Sequence, residues 1–248
     1  MGTSHQDRVT VITGAAGGLG QAFALRMAQE GCRLVLTDIH SCRGIAKKVE
    51  AIGCDVYHER CNLAVPDDVQ KFADNVLGRF GTVDILVNNA AFMHLCNLEE
   101  IDLETFQMYE KVNLDAPLLL CKAFVPGMAK QRYGRIVNMT SSSAWGPHPG
   151  FLGYITTKMG IIGMTRYLAV ELGQKGITVN ALTPSLTRHA GNEKTLSAEF
   201  FERVSQRQAI KRTQVPDDIV GTLVFLTSDD AAFMTGQTIA TCGGEIFL

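Results

Sequence analysis

The chain is expected to fold as an α/β protein: a single Rossmann-like, doubly wound parallel sheet with helices on both faces. Three observations predict this. Strand-like runs alternate with helix-like runs from end to end of the 248 residues. Strands that follow one another with a helix between each pair imply a parallel sheet covered on both sides. A glycine-rich turn joins the first strand to the first helix, where doubly wound folds open a crevice for a ligand. No Pro/Ser-rich linker, charge block or internal repeat divides the sequence, so residues 1–248 are read as one domain.

The elements follow in order. Val9–Thr13 is a short β-branched strand. Leu19–Glu30 places Ala22, Leu25 and Ala28 at helical spacing and stops at Gly31, a C-cap residue. Arg33–Thr37 is a second strand, Ser41–Ile52 a helix ended by Gly53, and Asp55–Arg60 a third strand. Pro66 opens the next helix, which runs to Phe80 with proline in its first turn. Val83–Val87 is a fourth strand. Two long helices are expected over about 99–112 and 115–130, then a strand over Gly134–Met139. A helix over Tyr154–Gln174 and a strand over Ile177–Leu182 follow. Helical stretches at about 194–207 and 216–227 precede a last strand at Thr238–Thr241.

The bulk numbers narrow the function classes. Hydrophobic residues make up 46% and charged residues 19%, enough apolar material for a large core. A net charge of −2 and a pI near 6.3 point away from nucleic acid and from anionic membranes. No apolar run approaches the roughly 20 residues that span a bilayer. The polar N-terminus has no signal-peptide core, and Gly2 meets only part of a myristoylation pattern because residue 6 is Gln. Seven cysteines, an odd number with no C-x-x-C pair, suit a reducing cytoplasm. Cys54, His58 and Cys61 are the nearest thing to a metal cluster. On a strand Cys61 points away from the other two, so no metal site is expected.

The chemistry lies in two stretches. Thr13-Gly-Ala-Ala-Gly-Gly-Leu-Gly20 sits between the first strand and its helix. Gly14, Gly18 and Gly20 there permit a tight turn and a close approach of backbone to a pyrophosphate on the helix N-terminus. Asp38 closes the second strand, 18 residues after Gly20. A carboxylate there accepts from both ribose hydroxyls and repels a 2′-phosphate, and the glycine turn holds no Arg or Lys. Both facts favour NAD over NADP. The second stretch is Tyr154-Ile-Thr-Thr-Lys158, with Ser141 thirteen residues earlier. A tyrosine needs a nearby cation to act as a base near neutral pH. Lys158, four residues on, leaves the same helix face. Ser141 can donate a hydrogen bond to a substrate oxygen. Alone, a Tyr-x-x-x-Lys spacing is a common helix face; beside a nucleotide turn it reads as catalytic.

Together these segments resemble the short-chain dehydrogenase/reductase family of about 250 residues, and the resemblance spans nearly the whole chain. Asn88-Asn-Ala-Ala91 is similar to its N-N-A-G motif, and Asn113 to its helix asparagine, whose backbone carbonyl continues a proton relay through lysine to solvent. The resemblance implies Asn113, Ser141, Tyr154 and Lys158 as catalytic residues. It implies that Leu19, Ile39, Asn62, Leu63, Asn89, Ala90 and Ala91 join the glycines and Asp38 around the nucleotide, and that Tyr154 and Lys158 also bind it, the lysine at the ribose while depressing the tyrosine pKa. Pro184 and Thr187 match the segment that contacts the nicotinamide carboxamide. Four positions depart from the pattern: Ala91 replaces Gly, Asn62 stands for an Asp that binds adenine, Ser185 replaces Gly, and His189 stands where many members have Thr. His189 thereby puts the carboxamide contact in question and is a candidate for the substrate pocket. Several segments, Ala123–Met128 and Ser228–Thr238 among them, resemble NAD-dependent secondary-alcohol dehydrogenases of the 1-phenylethanol type.

The implied reaction interconverts a secondary alcohol and a ketone. Met93, Ser141, Ser143, Trp145, Phe151 and Tyr154 are expected around the substrate, with residues near 188–200 as a lid. Met93, Trp145 and Phe151 suggest an apolar or aromatic substrate, although Trp145 could equally pack at an interface, and His94 and His148 could be ordinary surface residues. No Arg or Lys cluster is expected to hold a carboxylate or phosphate. A 3-oxoacyl-carrier-protein reductase and a sugar dehydrogenase are alternatives on the same fold, the former usually with NADPH. A non-catalytic nucleotide-binding protein is disfavoured by the presence of Ser141, Tyr154 and Lys158 together. A homotetramer is implied by the resemblance, and the apolar terminus Ile246–Leu248 is expected at a subunit interface.

Overall fold

The computed structural model describes residues 5–146, 148–194 and 196–248. Gly2 lies outside them, as do Pro147 in the segment between Ser141 and Tyr154 and Thr195 in the expected helix over 194–207. Seven parallel strands, β1 (Val9–Thr13), β2 (Arg33–Asp38), β3 (Val56–Arg60), β4 (Ile85–Asn88), β5 (Gly134–Met139), β6 (Ile177–Pro184) and β7 (Thr238–Thr241), form one sheet in the order 3-2-1-4-5-6-7. The order reverses between β1 and β4, so their C-terminal ends, Thr13 and Asn88, flank the crevice where doubly wound sheets take ligands.

β1, β4, β5 and β6 are buried along their whole length, the burial expected of strands covered on two faces. One face packs against α3 (Pro66–Phe80) and α5 (Ala116–Gln131) through Phe72, Val76, Leu120 and Phe124. The other packs against α1 (Gly18–Gln29), α2 (Arg43–Glu50) and α8 (Asp217–Thr227) through Phe23, Met27, Val49 and Leu223. Within the sheet, Asn88 donates to Asn138 at 2.8 Å, and Asn138 to Thr165 at 2.9 Å. These bonds meet part of the hydrogen-bonding need of side chains that would be costly to bury alone.

The expectations for the helices are corrected here. The two helices predicted over 99–112 and 115–130 are a single run from Leu103 to Gln131. α4 (Leu103–Glu110) continues through a π-helical turn, Lys111–Asp115, into α5. The wide turn inserts a residue and shifts the phase of the apolar positions, which imitates a break in the sequence. The merged helix is long and apolar enough, by length and composition, to cross a membrane, contrary to the expectation of no such stretch. Its Ala116, Leu120, Phe124 and Met128 are instead buried in the core beneath the sheet. The helix expected over 194–207 is shorter, α7 (Ala198–Ser205), and α6 spans Leu152–Leu172.

Candidate active site

The glycine turn folds as its sequence requires. Gly14 has φ +66°, a conformation side chains disfavour, and a Cβ there would lie 2.8 Å from the Ala90 Cα. A Cβ at Gly20 would meet the Gly14 carbonyl at 2.1 Å. α1 has no side-chain cap and no acidic residue in its first turn, so its N-terminal N–H groups are not covered by a carboxylate. Thr13 and Asn89 tie the turn to β4: Asn89 donates to the Thr13 and Gly14 carbonyls, and the Asn89 and Ala90 amides donate to the Thr13 hydroxyl at 3.0 Å. Asp38 is held at the end of β2 by the Ala16 amide at 3.1 Å and the His40 amide at 2.9 Å. Ile39 beside it is exposed, and Leu63 is buried. The Asn62 side chain accepts from the Ala64 amide at 3.1 Å. A bare helix N-terminus and a fixed carboxylate at the next strand end fit a nicotinamide dinucleotide.

The second half of the site stands on β5 and α6. Ser141 follows β5 and caps a one-turn 3₁₀ helix, Ser142–Trp145. Its Oγ lies 2.8 Å from that of Ser143. Tyr154 and Lys158 share a face of α6, with the lysine Nζ 5.4 Å from the tyrosine ring centre. Phe151 meets the Tyr154 ring edge to face at 6.1 Å. Gly153 leaves room for Tyr109, since a Cβ there would fall 2.4 Å from that ring. Tyr109 in turn donates to the His94 carbonyl and so anchors the loop after β4.

The protonation pattern differs from the expectation that Lys158 depresses Tyr154. Burial pushes the Tyr154 phenol up to about 12, opposed in part by the Ser141 hydroxyl. Burial also pushes Lys158 down to about 8. Its ammonium donates to the Met139 carbonyl at 2.8 Å rather than turning to the phenol, and only 3% of the residue is exposed. Asn113 sits in the π-helical turn. Its side chain is fully used: it accepts from the Phe92 amide at 2.8 Å and donates to the Phe92 carbonyl and the Thr157 hydroxyl. Any part in a relay thus falls to its backbone.

A cavity of about 520 Å³ brings the two halves together. Of the expected substrate residues, Met93, Ser141, Ser143, Phe151 and Tyr154 line it, and Leu19, Pro184 and Thr187 border it on the nucleotide side. Trp145 does not line it and is 37% exposed. Two residues past Ser143 in a three-residue turn, its side chain points elsewhere. From the segment expected as a lid, His189, Asn192, Leu196 and Phe200 line the cavity. His189 lies against the glycine turn, where a Cβ on Gly18 would meet its ring at 2.2 Å. Its Nδ1 accepts from the Gly191 amide at 3.1 Å. Burial holds its pKa below the usual value, with Glu193 opposing. The sequence reading missed Arg203, Arg207 and Glu245, which line the same cavity together with His148. The expectation of no basic cluster is thereby corrected. Their four-residue spacing, Arg203 in the last turn of α7 and Arg207 just past its end, was the available signal. Among the described residues no group of His, Cys, Asp or Glu is arranged to hold a metal. Cys54 donates to the Cys32 carbonyl instead.

A sheet with this order, a bare-helix nucleotide turn at its crevice and a serine, tyrosine and lysine beside it define a nicotinamide-dependent oxidoreductase. A family model described as enoyl-(acyl carrier protein) reductase matches residues 14–245, and the chain belongs to the short-chain dehydrogenase/reductase family. It is 36% identical over 242 residues to a (2S)-[(R)-hydroxy(phenyl)methyl]succinyl-CoA dehydrogenase subunit of Thauera aromatica, covering 97% of each chain. It is 32% identical over 241 residues to a 3-oxoacyl-[acyl-carrier-protein] reductase of Staphylococcus epidermidis, covering 96% of this chain and 98% of the relative. A solved protein from Beutenbergia cavernae superposes with a TM-score of 0.93 at 30% identity over 99% of both chains. That protein is provisionally described as an NAD(P)-dependent gluconate 5-dehydrogenase, with NADP bound at low occupancy.

Proposed function

We propose that the protein interconverts an aryl or otherwise largely apolar secondary alcohol and its ketone with NAD. The observation that carries this is the single cavity in which Ser141 and Tyr154 meet an apolar wall of Met93, Leu95, Phe151 and Phe200. Bound between the glycine turn and Thr187, a nicotinamide supplies the hydride-transfer chemistry. Ser141 orients the substrate oxygen by hydrogen bonding. Tyr154 takes the hydroxyl proton in oxidation and returns it in reduction. With the phenol pushed up to about 12 in the open cavity, it holds its proton until a positive charge comes close, as an oxidised nicotinamide would bring. Lys158 sits one helical turn away, its ammonium 5.4 Å from the ring centre. The relative from Thauera aromatica, named for a hydroxy(phenyl)methyl substrate, supports an aryl carbinol.

The choice of NAD rests on Asp38, held by two backbone amides, which would place a carboxylate against a 2′-phosphate. kcat/KM with NAD is expected to exceed that with NADP by roughly a hundredfold, the size of an unfavourable charge contact of a few kcal/mol. Equal values, or a preference for NADP, would remove the argument from Asp38.

We also infer a homotetramer in a reducing cytoplasm. Exposed apolar side chains support the assembly: Tyr167 and Val170 on α6, Leu118 on α5, and Phe233, Phe247 and Leu248 near the C-terminus. All seven cysteines are free thiols, which supports the compartment. Light scattering is expected to return four times the 27.0 kDa chain mass; a monomer would contradict the assembly.

A further inference from the structure

The cavity is apolar at its catalytic side and cationic at one rim. Arg203, in the last turn of α7, and Arg207, four residues on in the turn that follows, line it together with His148 and Glu245. Among the described residues the seven ion pairs each take a different arginine, and none is Arg203 or Arg207. The Arg203 guanidinium lies 5.0 Å from the Phe200 ring, which also lines the cavity. The Glu245 carboxylate is engaged by the Ser185 hydroxyl at 2.6 Å.

Charge at this rim is therefore not balanced. Burial and the charge of Arg207 hold His148 below its usual pKa, with Glu245 opposing, so the imidazole is neutral near pH 7. Two guanidinium groups, both on solvent-exposed residues, then share the cavity lining with one carboxylate, an excess of one positive charge. Guanidinium forks match a carboxylate in shape as well as in sign. A pocket that is mostly apolar with a few placed polar groups uses those groups to fix the ligand's orientation.

We propose that the substrate carries a carboxylate, that Arg203 and Arg207 hold it, and that its carbinol or ketone carbon lies at the Ser141 and Tyr154 side of the same cavity. The substrate is thus a hydroxy acid or oxo acid with an apolar or aromatic middle. The excess of a single charge favours a carboxylate over a phosphate dianion. This inference rests on the carbinol dehydrogenase reading for the position of the reacting carbon, but the anion site can be tested without turnover.

The test measures binding to the enzyme–NADH complex by calorimetry at pH 7. The ligands are 4-acetylbenzoate and methyl ketones bearing a carboxylate one to six carbons from the carbonyl, each against its uncharged methyl ester. A phosphate-bearing methyl ketone is included. At least one carboxylate is expected to bind roughly tenfold more tightly than its ester, as two partly solvated cation contacts supply. That ratio should fall as salt rises. It should fall towards one in Arg203→Gln/Arg207→Gln and be largely retained in Arg203→Lys/Arg207→Lys. The ratio is read within each variant, so a general change in the pocket cancels. No preference for any carboxylate in the wild type, or a ratio unchanged in the glutamine variant, would overturn the proposal. A preference for the phosphate over every carboxylate would overturn it too. If carboxylates bind as expected yet no carbinol is oxidised with NAD, the dehydrogenase reading fails while the anion site stands. Turnover of neutral carbinols without a carboxylate preference is the reverse case.

Discussion

Tyr154→Phe is expected to lower kcat for alcohol oxidation by about 10²–10⁴-fold, the usual contribution of a positioned proton-transfer group. The substitution removes one oxygen and little else. The ring of residue 154 meets Phe151 edge to face, a contact phenylalanine preserves, and α6 is unchanged by a residue of the same shape. Nucleotide affinity should stay within a few-fold of wild type, because the glycine turn and Asp38 stand on other elements. Steady-state kinetics and a nucleotide titration separate the two effects. A variant that keeps kcat within tenfold of wild type would place the proton transfer on another group, with Ser141 the nearest candidate.

Lys158→Met is expected to act in opposite directions on activity and stability. Activity should fall by at least tenfold, since the site loses the cation one helical turn from the phenol. Stability of the nucleotide-free protein should rise by about 1–3 kcal/mol, the range found when a buried charge gives way to a packed apolar residue. For a chain of this size the melting temperature would rise by a few degrees. The ammonium is buried with one hydrogen bond in evidence, to the Met139 carbonyl, and burial pulls its pKa from 10.5 down to about 8. Because the folded value is lower, the unfolded chain binds the extra proton between about pH 8 and 10.5. Wild-type stability therefore gains across that window as pH rises, and the variant should lack this gain. Buried thiols such as Cys32, Cys61 and Cys121, pushed up to about 12, oppose it from about pH 9. The informative quantity is thus the difference between variant and wild type in chemical denaturation. A destabilised variant would show that the lysine is held by more than that hydrogen bond.

The strands and the nucleotide turn were legible in the sequence because their causes are local. β-branched runs bounded by turn residues fix β1, β2 and β5, and Gly14 and Gly20 are demanded by contacts a Cβ would forbid. Ser141, Tyr154 and Lys158 were legible because a strand end brings Ser141 to the cavity that Tyr154 lines, and one helical turn sets Lys158 beside the tyrosine ring. The unity of α4 and α5 was hidden, since a π-helical turn at Lys111–Asp115 shifts the apolar phase. Trp145 was misplaced because its direction depends on a 3₁₀ turn. The place of Arg203 and Arg207 was harder to read, because their relation to the pocket depends on where the fold brings the end of α7 relative to Ser141 and Tyr154. The protonation of Tyr154 was likewise hidden, as it depends on how deeply the fold buries the phenol.

The most direct measurement is initial rate with NAD on a panel of secondary alcohols: neutral aryl-alkyl carbinols, aryl carbinols bearing a carboxylate, sugars, and a 3-hydroxyacyl thioester. Turnover of the aryl carbinols, well above that of sugars and thioester, is the expected result. Turnover confined to the thioester or to sugars would contradict the account and move the same catalytic groups to an acyl-reductase or sugar-dehydrogenase reaction.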